Sequence, residues 1–183
     1  DQGAKVRLLF DNRWGPDTQD YSSVRSKLGR DSDVRIGMLA FGSRIFKQTV
    51  EALIEGEGAN SEIRGVALGA DDQHFDFVTL QDHIGPRTTS NVEIKSALAG
   101  SSKSIYYGIT RAVPTADASQ ANQEYRNLLL TEHSKADSAP DLETLTADVI
   151  RCRHYRTVGA VDLEPLFSPL SSGPTERRTP RTP

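Results

Sequence analysis

The sequence contains a single cysteine and has no apolar run long enough to cross a membrane. One cysteine among 183 residues excludes a disulfide bond within the chain. A membrane-spanning helix needs about 20 mostly apolar residues, and no such stretch occurs. The formal net charge of −3 gives no broad positive field for nucleic acid or an acidic membrane surface. We therefore expect a protein of a reducing, cytoplasmic compartment that binds neither nucleic acid nor membranes.

The sequence also lacks the short motifs of common enzyme sites. It contains no G-x-S-x-G nucleophile elbow, no glycine–lysine phosphate loop, no dinucleotide-binding glycine fingerprint and no H-E-x-x-H metal motif. These absences favour a protein that is not an enzyme. The chain begins at Asp1 with neither an initiator methionine nor a charged-then-apolar leader. We therefore expect a fragment of a longer protein.

The sequence does contain short segments in which apolar residues alternate with other residues, separated by glycine-bearing turns. No apolar stripe with a period of 3.6 residues is present, so we expect little helix. Strands are predicted over 6–10, 34–40, 45–50, 63–68, 75–80, 92–98 and 105–113. Turn glycines recur at nearly regular intervals, at Gly29, Gly42, Gly56, Gly69, Gly85 and Gly100. This pattern is typical of a β-sandwich, a β-barrel or a parallel β-helix, and spacing alone does not choose among them.

The only cysteine lies two residues before a histidine in a β-prone segment, 149–154. Side chains two apart on a strand project from the same face, so we expect Cys152 and His154 to point the same way. A thiolate and an imidazole together suit zinc, copper(I) or iron in a cluster. One pair does not complete such a site, because structural zinc and iron–sulfur clusters usually take four protein ligands. The alternative is that Cys152 is a small buried apolar residue.

Acidic residues and histidines also cluster in the middle of the chain. They are Asp71, Asp72, His74, Asp76, Asp82 and His83. Paired carboxylates support hydrolysis of glycosides, so a carbohydrate-active enzyme that uses Asp72 and Asp76 is one hypothesis. Aspartate next to glycine is common in turns, however, and the two histidines lack a known ligand spacing. The sequence favours a structural role for this cluster.

Four motifs follow one another in the segment 122–159, namely EYRNLLL at 124–130, ADSAPDLE at 136–143, ADVIRCRH at 147–154 and TVG at 157–159. Their resemblance is to the SufB/SufD family of iron–sulfur cluster assembly proteins, and it is closer to SufD than to SufB. An upstream phrase, GADDQHFD at 69–76 followed by HIGPRTTS at 83–90, extends it. The family's small residues after the histidine are replaced here by Tyr155 and Arg156.

The resemblance implies an all-β fold, namely a right-handed parallel β-helix with little helix. We expect this core over 1–161, truncated at its N-terminal side. We expect residues 162–183 to hold the start of a helix and a disordered tail rich in proline and arginine. In the family a helical run at this point forms the platform for the ATPase SufC. Here 168–174, SPLSSGP, interrupts it.

The resemblance further implies a scaffold subunit, not an enzyme, that works in a complex of SufB, SufC and SufD. His154 corresponds to the family's histidine ligand and Cys152 to the neighbouring cysteine. The iron–sulfur cluster would be transient and shared with a SufB-like partner, with none bound by this chain alone. The altered C-terminus argues against the contact with a SufC-like protein. A homodimer and an inactive truncated family member are the other hypotheses left open.

Overall fold

The described part of the chain forms eleven strands in two parallel sheets. The computed structural model of the protein describes residues 1–145 and, for the backbone, residues 151–160. The strands are β1 (Lys5–Asn12), β2 (Gln19–Leu28), β3 (Asp33–Ala40), β4 (Ile45–Ile54), β5 (Asn60–Gly69), β6 (His74–His83), β7 (Thr89–Leu98), β8 (Lys103–Ala112), β9 (Gln120–Leu129), β10 (Lys135–Thr144) and β11 (Arg151–Ala160). In the described part of the chain no helix is able to cross a bilayer.

Odd-numbered and even-numbered strands separate into different sheets. The first sheet has the order β1-β3-β5-β7-β9-β11, and the second sheet has the order β10-β8-β6-β4-β2. Each coil therefore contributes one strand to each sheet, and side chains such as Asn91 and Asn122, 31 residues apart, bond across successive coils. The chain is a β-solenoid of about five turns. The predicted parallel β-helix is confirmed, as is the low helix content of the described residues.

The core lies between the two sheets and is built from alternate residues of each strand. Side chains at matching positions of successive coils stack along the solenoid, as Ile36, Ile63 and Val92 do in the first sheet. In the second sheet Phe46 contacts Phe75 and Phe77, with ring centroids 6.4 and 5.4 Å apart. These apolar columns account for most of the strands that alternation predicted, with the exception of 105–113, whose apolar alternate residues face outward.

The turn glycines allow consecutive coils to approach closely. A Cβ atom at Gly56 would overlap the backbone of Gly29 and Arg30, and one at Gly85 would overlap the backbone of Glu55. Most of the left-handed backbone conformations belong instead to residues other than glycine, such as Asp71 with φ 50°. Close stacking of the backbone explains why glycines recur with the period of the coil.

Candidate functional site

The strand that carries Cys152 and His154 is the terminal strand of the first sheet. β11 pairs in parallel with β9, and its other edge has no strand partner among the described residues. Cys152 is in register with Ala121 and His154 with Gln123. The side chains of β11 lie outside the described residues, so the sequence-based assignment of these two ligands stays a prediction. The backbone places both residues on the terminal strand of the described sheet.

The core beneath this strand is polar. The buried Tyr106 hydroxyl donates a hydrogen bond to Oε1 of Gln123 at 3.2 Å and shares one with Thr79 at 2.9 Å. The Gln123 amide in turn donates to the Thr110 hydroxyl. Burial raises the pKa of Tyr106, so this phenol stays protonated and neutral at physiological pH. A connected set of neutral polar groups therefore lies in the coil before β11, at the position in register with His154.

The earlier coils are apolar at the same positions. Gln123 continues the column of Ile63 and Val92, and Tyr125 continues that of Ile94. The Tyr125 hydroxyl bonds to the backbone oxygen and hydroxyl of Ser104 at 3.1 and 3.0 Å, and burial raises its pKa to about 12. These columns of the first sheet thus change from apolar to polar at β9.

Sequence reasoning missed this polar interior. Polar residues alternate along β9, where Ala121, Gln123, Tyr125 and Asn127 are buried. Polar residues that bond across successive coils are 31 residues apart in the sequence, as Ser96 and Asn127 are. This repeated spacing was the one sign of the polar interior in the sequence. Without the register, alternating polar residues indicate a solvated face as readily as a buried one.

A groove opens beside the last coils, with a volume of about 460 Å³. Its lining includes Lys103 and Lys135 from the start of β8 and β10, and Leu129 from the end of β9. β10 itself is almost entirely exposed, because it is the terminal strand of the second sheet. At this end of the solenoid, both sheets therefore end in an edge without a strand partner in the described part of the chain.

Two carboxylates of the central cluster, those of Asp76 and Asp82, are bound to cations. Asp76 accepts a hydrogen bond from Lys47 Nζ at 2.6 Å, and the buried Asp82 accepts one from Arg111 Nε at 2.9 Å. The Asp82 contact is bidentate, since a second Arg111 nitrogen bonds its other oxygen. Such pairs offset the cost of burying a carboxylate. This geometry fits the structural role that the sequence favoured for this cluster.

His83 is buried and held by hydroxyl groups. Its Nδ1 lies 2.7 Å from the Thr88 hydroxyl and its Nε2 lies 2.8 Å from the Ser90 hydroxyl. Burial lowers its pKa to about 4, and the raising effect of the Asp82 charge is smaller. The imidazole is therefore neutral at physiological pH and joins β6 to the turn and strand that follow.

A second groove, also about 460 Å³, brings together part of the central cluster. Asp72, His74 and Asp76 line it with Lys47 and Arg44. Among the residues whose side chains are described, no three His, Cys, Asp or Glu side chains are placed to hold a metal ion. Within that part of the chain the groove has charges of both signs and offers no metal-binding geometry.

Comparison with known proteins matches the whole solenoid to one family. The family model for the SUF system iron–sulfur cluster assembly SufBD core domain matches residues 1–173. An iron–sulfur cluster assembly SufBD family protein of Mycobacterium tuberculosis is 28% identical over 188 residues, covering 99% of this chain and 47% of that protein. A Mycobacterium leprae protein of the same description is 29% identical over 185 residues, covering 97% of this chain and 47% of the relative.

A further relative carries a more specific name. The iron–sulfur cluster assembly protein SufB of Bacillus subtilis is 30% identical over 135 residues, which is 74% of this chain and 29% of that protein. The chain spans less than half the length of each of these three relatives.

Proposed function

Since this chain belongs to the SufBD family of iron–sulfur cluster assembly proteins, we propose that it is a SufD-like scaffold subunit without catalytic activity. In this proposal His154 and Cys152 supply part of the ligand set for a nascent cluster, and a SufB-like partner supplies the rest. The cluster is cargo, held between two proteins and passed on. The observation that carries the proposal is the position of β11 as the terminal strand of its sheet.

An open strand edge suits a shared site for two physical reasons. The unpaired N–H and C=O groups of an edge strand form a ladder with a strand from another chain, which brings that chain's side chains alongside. A cysteine and a histidine also supply fewer than the four ligands that a cluster usually needs. A cluster therefore becomes stable only when the partner has docked, so assembly depends on the complex.

The polar core below β11 supports the same site. Iron–sulfur clusters are sensitive to hydrogen bonds and to the dielectric environment around their ligands. Gln123, in register with His154, is held in place by Tyr106 and Thr110. We infer that this buried amide forms the inner wall of the site, while the partner encloses the outer side.

The experiment reconstitutes this chain with SufB-like and SufC-like proteins and measures iron and acid-labile sulfide per complex. We expect His154→Ala to lose the cluster while the mass of the complex is unchanged, because β11 still pairs through its backbone. His133→Ala is the matched control. It removes an exposed histidine from the turn between β9 and β10, and the cluster yield should stay at the level of the unmodified complex.

Undiminished cluster yield with His154→Ala would refute the ligand assignment. Comparing the complex mass with and without the SufC-like protein tests that contact separately. A complex that forms with the SufB-like protein alone fits the altered C-terminal sequence, and failure to bind either protein would identify an inactive family member.

A further inference from the structure

Two hydrogen-bonded sets of buried polar side chains lie inside the solenoid. The His83 set consists of Ser119, Thr88, His83 and Ser90. The Tyr106 set consists of Thr79, Tyr106, Gln123 and Thr110. Within each set every side chain bonds to at least one other member, as buried polar groups require. The two sets approach each other on β6, where Thr79 belongs to one set and His83 to the other.

Gln81 lies on β6 between Thr79 and His83, and its side chain is fully buried in the core. Neither the nitrogen nor the oxygen of its amide has a hydrogen-bond partner among the residues that the structure describes. Its register partner on β8 is Thr110, whose hydroxyl already accepts a bond from Gln123. Gln81 therefore occupies the space between the two sets without a bond to either.

Side-chain contacts across the core show which positions of the two sheets face each other. A Cβ atom at Gly65 would lie 3.4 Å from the Phe77 ring. Tyr125 and Tyr106 are in register with these two positions in later coils, and their rings contact each other with centroids 5.2 Å apart. The position of Gly65 on β5 therefore faces that of Phe77 on β6.

By the same count, Ser61 faces Gln81. The strands of the two sheets run in opposite directions across the core, since His83, further along β6, bonds to Ser90, the register partner of Ser61. Moving four residues along each strand from the facing pair leads to Ser61 on β5 and Gln81 on β6. The Ser61 hydroxyl is also buried, and the described part of the chain offers it no hydrogen-bond partner. Two unpaired polar side chains thus point towards each other where the two sets approach.

A single hydroxyl does not satisfy both ends of the Gln81 amide. The amide offers two N–H donors and a carbonyl acceptor, whereas the Ser61 hydroxyl has one O–H to donate. A buried water typically makes about three hydrogen bonds to polar groups that otherwise lack partners, so one water serves the amide and the hydroxyl together. The neighbouring side chains are small, because Ala52 is the register partner of Gln81 on β4 and the buried Ala59 lies two residues before Ser61.

We propose that a buried water molecule binds between Gln81 and Ser61, where the His83 set and the Tyr106 set approach each other. Both side chains are uncharged, so the site suits a small neutral polar molecule and not an ion. The water supplies the hydrogen bonds that the amide and the hydroxyl lack, which removes the free-energy cost of burying them unpaired. This site belongs to the core of the solenoid, and the proposal does not rest on the cluster function.

The first test is an NMR measurement of contacts between water and side-chain amides in the unmodified full chain. We expect cross peaks between water and the Gln81 amide, which is assigned by the loss of its signals in Gln81→Met. NOE and ROE cross peaks of opposite sign separate contact with a long-lived water from proton exchange. The matched control is the buried Gln123 amide, which donates to Thr110 and should show no such contact.

The second test counts long-lived internal waters by ¹⁷O magnetic relaxation dispersion. Ser61→Val removes the hydroxyl and fills the space beside it, so the count should fall by one. Ser23→Val makes the same change at an exposed position of β2 and should leave the count unchanged. Circular dichroism should show that both variants are folded.

The measurement on the unmodified chain decides the matter if Ser61→Val does not fold. A Gln81 amide without water contacts, including one bonded directly to Ser61, would overturn the proposal. An unchanged count of internal waters in folded Ser61→Val would overturn it as well.

Discussion

The buried His83 makes the stability of the solenoid depend on pH. Its pKa is about 4, against an ordinary value of 6.5, chiefly because burial disfavours the charged ring. In the unfolded chain the ring binds a proton near pH 6.5. The stabilising contribution of the neutral ring is therefore complete above about pH 6.5 and is lost as the pH falls from there towards about pH 4.

The size of the effect follows from the difference between the two pKa values. Each pKa unit is worth about 1.4 kcal/mol, so the whole difference corresponds to about 3 kcal/mol. Between about pH 7.5 and about pH 5, the linkage relation gives a loss of about 2 kcal/mol from this one group. Other groups also titrate in this range, so a variant is needed to isolate the part that belongs to His83.

The assay is urea unfolding of the unmodified protein and of His83→Gln at both pH values. Glutamine retains hydrogen-bonding capacity towards Thr88 and Ser90 but does not titrate. We expect the free energy of unfolding of His83→Gln to change by about 2 kcal/mol less between the two pH values than that of the unmodified protein.

His133→Gln, which alters an exposed turn, is the control and should keep the pH dependence of the unmodified protein. NMR titration of the His83 ring gives a second readout that does not depend on the stability of the variant. An equal pH dependence in His83→Gln, together with a ring that titrates near its ordinary pKa, would refute the reasoning.

Two further substitutions test the packing of the core and the ion pair between Arg111 and Asp82. Gly108→Ala should lower the free energy of unfolding by about 1–3 kcal/mol, because the added methyl group would overlap the Tyr106 hydroxyl. Gly15→Ala, where a Cβ meets nothing within 4 Å, is its control in the same urea experiment and should be close to neutral. Arg111→Ala should cost about 2–3 kcal/mol because it leaves the buried Asp82 carboxylate without its bidentate partner. A loss below about 0.5 kcal/mol would show that water replaces Arg111 at little cost.

Most of the strands that sequence reasoning found have apolar inward positions, whereas β8 was found from the apolar residues of its outer side, Ile105, Tyr107 and Ile109. β4 and β6 present Phe46, Phe75 and Phe77 to the core, and their alternation was visible without a structure. The strands β2, β9 and β10 were not predicted, because their residues are mostly polar. As terminal strands of the second sheet, β2 and β10 have little core to face, and β10 even tolerates Pro140, since an edge strand needs fewer N–H donors.

The candidate site was reachable from the sequence only in part. The spacing of Cys152 and His154 on one strand indicated a ligand pair, and family resemblance supplied the fold that puts this strand at an end. Predicting the buried hydrogen bonds among Tyr106, Thr110 and Gln123 would have required the register between coils, which depends on the length of every turn. The structural role of His83 likewise depends on Ser90, which lies on the strand after the turn.

Ligation of iron by this chain is tested most directly by pulsed electron paramagnetic resonance on the reconstituted complex. Histidine labelled with ¹⁵N is introduced into this chain alone, and the cluster is reduced to a paramagnetic state. If His154 binds the iron, the spectrum shows a coupling from one ¹⁵N imidazole that disappears in His154→Ala and persists in His133→Ala. A spectrum without this coupling, or a coupling that survives in His154→Ala, would contradict the claim that the terminal strand completes a shared site.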